Sequence, residues 1–303
     1  MTPKFHASGH MFNGSIAALV TPFTDQGEID FAAVDRLVEF HCGQGSDGLV
    51  IAGTTGESAT LIREEFCALL KRVIEAAKGR LPVLAGTGST STARAIEQTR
   101  IAAELGADGA LVVTPYYNKP PQAGLEAHFT AIADAVELDL VLYNVPSRTA
   151  VDMLPKTVET LSAHPRIVGI KEAVPDGARI EELCARCGPE FTVLSGDDNS
   201  CLDAMRQGAA GVVSVAANVV PGTMHELCMA AAQQDWPEAE RLESRIKTLF
   251  EVLMIETNPI PVKWALFEMS LIGPGIRLPL TPLDKEFKAP LRQCLVEHQL
   301  IRA

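Results

Sequence analysis

Aromatic residues and long apolar runs are scarce in this sequence. Phe, Trp and Tyr make up 5 % of the 303 residues, whereas apolar residues as a whole reach 47 % and are mostly Ala, Val, Leu and Ile. No run approaches the roughly 20 apolar residues that span a bilayer, and the opening MTPKFHASGH lacks the apolar segment of a secretory signal. We therefore predict a cytoplasmic protein with a core of small branched side chains, and we interpret residues 1–10 as a polar extension.

Positive charge is scarce as well. The chain carries 26 Lys and Arg against 38 Asp and Glu, which gives a formal net charge of −12 at pH 7. A chain this acidic is repelled by nucleic acid and by anionic lipid, so neither a nucleic acid nor a membrane is expected as a partner. An anionic substrate is still compatible with this charge, because one or two local cations can dominate the field in a pocket.

Several metal and cofactor motifs are absent. The seven histidines form no HExxH, and Asp197 and Asp198 have no third ligand at metal spacing, so no metal is predicted. The Gly-x-Ser-x-Gly of serine hydrolases does not occur. Neither the phosphate cradle nor the pyridinium partner of pyridoxal phosphate is visible, so no cofactor is expected. The seven cysteines indicate buried reduced thiols, although Cys184 and Cys187 form a CxxC that leaves a zinc or redox role as the alternative.

Short apolar runs recur along the first three quarters of the chain. Because each is continuously apolar, each indicates a strand that is buried on both faces. Helical patterns lie between them, for example after the N-cap candidate Asp30 and before the helix stop Gly106. The alternation predicts parallel strands joined by right-handed crossovers. The runs are GSIAALVTP, GLVIAGTT, LPVLAGTG, GALVVTP, DLVLYNVP, IVGIKEAV, FTVLSGDD and GVVSVAAN.

Eight strand–helix units predict an α/β fold, a (β/α)8 barrel, over residues 11–235. A doubly wound open sheet is the alternative, but it needs a glycine-rich phosphate loop after the first strand, where the sequence reads Thr21-Pro22-Phe23. Strand signals stop after Asp235, and residues 236–303 predict about three further helices. We expect these helices to pack on the barrel or on a neighbouring subunit.

Lys171 is the most informative single residue. It continues the apolar run 167–170, so its side chain is expected in or near the barrel interior, where an ammonium without a partner is costly. Desolvation favours the neutral form of a lysine, and attack on a ketone requires a neutral amine. Glu172 should point to the opposite side of the strand and so need not protonate that amine. The alternative is a strand-end lysine that reaches solvent.

Residues 53–57, Gly-Thr-Thr-Gly-Glu, follow the second predicted strand. Enzyme sites on barrels are built at this end of the strands. We expect these residues to open a helix, whose N-terminus and free N–H groups would suit a carboxylate. An ordinary strand-to-helix turn capped by threonine is the alternative.

Tyrosine and arginine side chains follow two other predicted strands. Tyr143 ends the fifth strand, where a phenol can pass a proton or simply pack at the barrel mouth. Arg148 lies just beyond and is either a fork for a substrate carboxylate or a solvated surface charge. Tyr116 and Tyr117, two of only three tyrosines, adjoin after the fourth strand and are typical of an interface anchor.

Taken together, these segments resemble the dihydrodipicolinate synthase family from about Met11 to the C-terminal helices. The wider superfamily includes N-acetylneuraminate lyase and keto-deoxy-sugar-acid aldolases and dehydratases, and all of its members share the barrel and the imine-forming lysine. The narrower resemblance depends on Thr54-Thr55, where sialic acid lyases carry Ser-Thr, and on Tyr117 and Arg148. The matching motifs are MFNGSIAALVTPF, GLVIAGTTGESATL, LPVLAGTGS, TPYYNKPPQAGLEAHF, LVLYNVPSRT, IVGIKEAV, LSGDD and GVVSVAANV.

The resemblance implies a cofactor-free lyase that condenses pyruvate with L-aspartate 4-semialdehyde to 4-hydroxy-tetrahydrodipicolinate, on the route to diaminopimelate and lysine. It also implies a homotetramer built from tight dimers. An aldolase or dehydratase acting on a 2-keto-3-deoxy sugar acid, and a non-catalytic binding protein on the same barrel, are the alternatives. The implied roles are Lys171 as nucleophile; Thr54, Tyr143 and a neighbouring subunit's Tyr117 as proton relay; Thr55 and Arg148 for the two substrate carboxylates; and Gly196 with the Val213 carbonyl as pocket lining.

Weak or absent feedback inhibition by lysine follows from one departure from the family pattern. Lysine-inhibited members line an allosteric cleft with histidine, asparagine and glutamate, and Arg94 here replaces the glutamate that would meet lysine's α-ammonium. An inhibition curve that reaches half activity at sub-millimolar lysine would contradict this prediction. The replaced positions are Arg63, Phe66, Thr90 and Arg94, while Ser58, Ala59 and Tyr116 are retained.

Overall fold

Eight parallel strands close into a barrel in chain order in the computed structural model, which describes residues 11–302. The predicted (β/α)8 barrel is therefore confirmed, and each strand lies within one of the eight apolar runs. The predicted extension over residues 1–10 lies outside the described residues. The strands are β1 Gly14–Ala18, β2 Gly48–Ile51, β3 Val83–Gly86, β4 Gly109–Val113, β5 Leu140–Asn144, β6 Ile167–Glu172, β7 Thr192–Ser195 and β8 Gly211–Ser214.

Helices connect the strands on the outside of the barrel. Asp30 caps the first of them by accepting a hydrogen bond from the Ala33 N–H at 3.0 Å, and Gly106 ends the third with a left-handed φ of 88°, as predicted. The barrel helices are α1 Phe31–Gln44, α2 Arg63–Ala77, α3 Thr92–Leu105, α4 Gln122–Ala135, α5 Pro146–Thr149, α6 Pro155–Ser162, α7 Gly177–Cys187, α8 Cys201–Arg206 and α9 Pro221–Ala232, with 3₁₀ turns at Ser58–Thr60 and Ala216–Asn218.

Three helices follow Asp235: α10 Trp236–Val252, α11 Ile260–Glu268 and α12 Lys285–Glu297. Helix α10 packs against α9 and α12, and α11 packs against the 3₁₀ turn beside β8. Their buried side chains belong to the same hydrophobic cluster as those between strands and helices. The domain boundary at residue 235 stays a prediction. No helix of residues 11–302 is both long and apolar enough to cross a bilayer.

A second, smaller hydrophobic cluster fills the barrel interior. It is separate from the outer cluster because successive side chains of a strand point to opposite sides of the sheet. Each large apolar side chain that is fully buried contributes about 1.5–3 kcal/mol to folding. Phe12 is buried in this cluster, next to Gly109 at the start of β4. The other members are Ile16, Ala18, Val50, Leu84, Leu111, Val141, Tyr143, Val145, Leu194 and Val213.

The seven cysteines are free of disulfides, as predicted. Cys184 and Cys187 lie on α7 and are half-buried. Burial raises the pKa of the Cys184 thiol to about 11, which favours the protonated thiol at neutral pH.

The imidazole of His41 sets a testable pH dependence of stability. It is fully buried in α1 with Nδ1 2.8 Å from the Ser46 hydroxyl, and burial lowers its pKa to about 4. The unfolded chain, with a histidine pKa near 6.5, therefore binds the proton first as pH falls, and stability is lost between pH 6.5 and 4.

Between pH 6.5 and 5, His41 should lower the free energy of unfolding by about 1.5 kcal/mol, because the unfolded chain takes up a proton there. We expect His41→Gln to abolish this contribution. Urea unfolding of both chains at several pH values measures the slope, whatever the absolute stability of the variant. An equally steep decline in the variant would show that another group dominates.

Candidate active site

Lys171 and Tyr143 are direct neighbours inside the barrel. They pair in register on β6 and β5, so their side chains point to the same side of the sheet. Lys171 is only 6 % exposed, and its Nζ lies 4.4 Å from the centre of the Tyr143 ring. Within residues 11–302, no carboxylate reaches salt-bridge distance of the Lys171 Nζ. The barrel interior thus places the Lys171 amine beside the Tyr143 phenol, and no carboxylate of the described residues pairs with this amine.

Glu172 points to the outer side of β6, as predicted. Its carboxylate accepts hydrogen bonds from the Asn144 side chain at 3.1 Å and from the Val174 N–H at 2.9 Å, and the Arg179 Nε lies 3.3 Å away. Burial raises the pKa of this carboxyl, against the opposing effect of these partners. Arg179 also pairs with Asp152. The polar contacts of Glu172 therefore hold the end of β6 from the outside of the barrel, and the inner side is left to Lys171.

Gly196 leaves the space that the Lys171 side chain occupies. A Cβ at this position would lie 3.0 Å from the lysine Cε and 2.7 Å from the Ala173 Cβ, so a larger residue would displace one of them. The Gly196 N–H donates to the Glu172 carbonyl at 2.7 Å. Val213, on β8, is buried in the same interior cluster as Tyr143. Both predicted lining residues therefore lie at the barrel interior.

Thr54 and Thr55 lie in a tight turn after β2. Thr55 is buried, and its hydroxyl accepts a hydrogen bond from the Asn258 side chain at 3.0 Å, whereas Thr54 is half-buried. The predicted helix after this turn is only a three-residue 3₁₀ helix, Ser58–Thr60. Glu57 has a left-handed φ of 54°, Leu61 is extended, and α2 begins only at Arg63. The N-terminus of an α-helix is therefore not available to a carboxylate here, and the N–H and hydroxyl groups of the turn itself remain as candidates.

Asn258 connects two predicted substrate-binding residues and was missed from the sequence. Besides its bond to Thr55, its carbonyl lies 3.5 Å from the Nη2 of Arg148, on the exposed helix α5. Asn258 stands 203 residues from Thr55. Its only sequence signal is the following Pro259, which marks a turn and not a site.

Tyr117 is not part of the interior group of its own chain. It is 93 % exposed and has a left-handed φ of 67°, which is strained for an aromatic residue. Its neighbour Tyr116 is 43 % exposed. A large aromatic side chain held outward in this way is typical of a surface that meets another chain.

The residues of the predicted lysine cleft lie on or near α2 and α3. Phe66 is buried in the core, and Arg63 is exposed and pairs with Glu97. Arg94 is exposed as well. This surface therefore carries two arginines, which stays consistent with weak binding of a cationic effector.

Comparison with known proteins gives one consistent family. A model of the dihydrodipicolinate synthetase family matches residues 11–298. The chain is 51 % identical over 285 residues to 4-hydroxy-tetrahydrodipicolinate synthase of Thioalkalivibrio sulfidiphilus, covering 94 % of this chain and 97 % of that protein. It is also 51 % identical over 285 residues to the synthase of the same name from Pseudomonas aeruginosa, covering 94 % and 98 %.

Solved structures agree with the sequence comparison. The chain superposes on the chloride-inhibited dihydrodipicolinate synthase from Acinetobacter baumannii, complexed with pyruvate, with a TM-score of 0.94 and 48 % identity. The superposition covers 95 % of this chain and 99 % of that chain.

Proposed function

Because the chain belongs to the dihydrodipicolinate synthetase family, we propose that its reaction runs through an imine on Lys171. The protein is a lyase that condenses pyruvate with L-aspartate 4-semialdehyde to 4-hydroxy-tetrahydrodipicolinate, a step of lysine and diaminopimelate biosynthesis. The observation that carries the residue assignment is the pairing of a buried amine and a phenol inside the barrel. We further propose that the enzyme is cytoplasmic, as suits a biosynthetic activity.

The imine supplies the electron sink for the carbon–carbon bond. The Lys171 amine adds to the pyruvate ketone, water leaves, and loss of a methyl proton converts the iminium to an enamine. The enamine carbon attacks the aldehyde, whose oxygen takes up a proton to become the hydroxyl. The amino group of the former aldehyde substrate then attacks the imine carbon, which closes the ring and releases Lys171.

Proton transfer falls to Tyr143, Thr54 and a neighbouring subunit's Tyr117. The position of Tyr143 supports its role, because its ring lies directly beside the Lys171 amine. Thr54 belongs to the turn that follows β2, at the barrel mouth. Gly196 and the Val213 carbonyl line the pocket around the imine.

Two separate groups bind the two substrate carboxylates. Thr55 holds the pyruvate carboxylate through its N–H and hydroxyl, and Arg148 holds that of the aldehyde. Asn258 contacts both residues, which supports a fixed separation between the two carboxylate sites. A fixed separation favours the approach of the enamine carbon to the aldehyde.

A tight dimer completes each site with Tyr117, and two such dimers form a homotetramer. The exposure and strained backbone of Tyr117 support the dimer, because an isolated chain gains nothing from holding this ring outward. A closed two-fold arrangement would bring the same residue from each subunit to the other's barrel.

Reductive trapping tests the nucleophile. We expect borohydride with pyruvate to inactivate the enzyme and to add one adduct, which peptide mapping assigns to Lys171. Lys263, the other buried lysine of residues 11–302, is an internal control because Glu57 already binds its ammonium. Lys171→Ala should lose turnover and trapping together. An unmodified Lys171, or full turnover in Lys171→Ala, would falsify the assignment of the nucleophile. Cleavage of keto-deoxy sugar acids in place of the condensation would favour the aldolase alternative.

A subunit-mixing experiment tests the shared site. Lys171→Ala chains should show no turnover, and Tyr117→Phe chains should turn over slowly while staying folded. After exchange of subunits, half of the dimers contain one site with neither substitution, so about a quarter of wild-type sites should recover. If mixing restores no activity although the subunits exchange, Tyr117 acts within its own chain or not at all.

A further inference from the structure

A buried ion pair beside the proposed pyruvate site joins the turn after β2 to helix α11. Glu57, at the end of the turn after β2, binds Lys263 of α11, 206 residues away. The two side chains are 0 % and 5 % exposed. Among the salt bridges of residues 11–302 no other has both side chains so deeply buried, and none of the roles proposed above uses it.

Residues around the pair hold it in place. The Arg277 N–H donates to the second Glu57 oxygen at 3.1 Å. The Lys263 Nζ lies 4.4 Å from the centre of the Phe23 ring, and the Arg277 guanidinium lies 4.1 Å from the same centre. Arg277 also pairs with Glu65 at the start of α2. The carboxylate of Glu57 is therefore held from the C-terminal part of the chain on both of its oxygens.

Glu57 is part of the turn that carries the two threonines. Its N–H donates to the Thr54 carbonyl at 3.1 Å, and its left-handed φ of 54° turns the chain back on itself. The Gly56 carbonyl accepts from the Thr21 hydroxyl at 2.7 Å. Since the turn is only five residues long, a shift of the Glu57 carboxylate would move the backbone of Thr54 and Thr55.

Stability alone does not account for a charged pair at this place. Removing two charges from water costs several kcal/mol per ion, and apolar residues of similar volume are often as stable or more so. Burial lowers the pKa of Lys263, and the Glu57 carboxylate opposes that effect. An ion pair does, however, define the position of its carboxylate more narrowly than an apolar contact, because its geometry is directional.

We propose that Glu57 and Lys263 are positioning residues for the pyruvate half-reaction. Their pairing fixes the Thr54–Thr55 backbone against the Lys171 amine, and it makes this turn depend on the C-terminal helices. The proposal rests on the imine function proposed for Lys171. It goes beyond that function because neither Glu57 nor Lys263 is among the residues proposed to bind the substrate.

The test measures imine formation separately from turnover. Glu57→Gln, Lys263→Met and the double variant are incubated with pyruvate alone, trapped with borohydride at increasing times, and compared in the full reaction. We expect the second-order rate constant for trapping to fall about 10- to 100-fold in all three, as for a misplaced binding group. The kcat/KM for the aldehyde should change less than about twofold, since it reports only the second half-reaction and Arg148 lies on another loop.

The double variant separates position from stability. It leaves no unpaired buried charge, so it should regain the thermal stability that the single variants lose, yet trap pyruvate as slowly as they do. Asp47→Asn is the matched control: Asp47 is a largely buried carboxylate at the opposite end of the barrel, bonded to the Ser15 N–H at 2.7 Å and paired with His225. This control should lose stability without slowing the trapping.

The outcomes distinguish the two proposals. Wild-type trapping rates in the double variant would overturn the positioning role, and so would failure of the double variant to fold, because the pair would then be structural. Absence of trapping in the unaltered chain would instead reject the Lys171 imine, independently of any result at Glu57.

Discussion

The site depends on the alternation of side chains along β6. Lys171 points into the barrel and Glu172 points out of it, although the two residues are adjacent. If both charges faced one side, the carboxylate would bind the ammonium and occupy the amine. The backbone of β6 separates the two side chains, and the Glu172 carboxylate contacts Asn144 and Arg179 instead. Strand β6 thereby carries the Lys171 amine on its inner face and, on its outer face, the Glu172 carboxylate that holds neighbouring elements in place.

Other residues at the barrel mouth also divide between placing the amine and placing its substrate. Gly196 gives the lysine stem its space, because a Cβ there would collide with it. On the opposite side of the mouth, Glu57 and Asn258 tie the turn after β2 to the C-terminal helices. The barrel strands therefore place the amine, while the last quarter of the chain holds the groups that would orient its substrate. Under the proposed positioning role, the C-terminal helices take part in orienting the substrate as well as in packing.

Tyr117 lies outside the interior group of its own chain, and this supports the proposal that a second subunit completes the site. Its exposure and left-handed backbone are costly within one chain. In the proposed dimer, a second subunit would account for both features, since the ring would gain a partner and the partner would gain a phenol. The net charge of −12 opposes anion binding in general, so the proposed anionic substrates depend on local groups at the mouth such as Arg148.

The barrel and the placement of Lys171 and Glu172 on opposite faces of one strand were determined by the sequence by itself, because both rest on local patterns. Continuous apolar runs indicate strands buried on both faces, and period-two alternation separates the two side chains whatever surrounds them. That Lys171 is the one facing the barrel interior was decided by the tertiary structure. The partners of Thr55 and Glu57 were decided only by the tertiary structure. Asn258 and Lys263 stand more than 200 residues away in sequence and carry no motif, so only chain closure brings them together. The helix expected after residue 57 is only a single 3₁₀ turn, and α2 begins at Arg63. The contacts of this turn with α11 could not be read from local patterns, because Lys263 reaches Glu57 only in the folded chain.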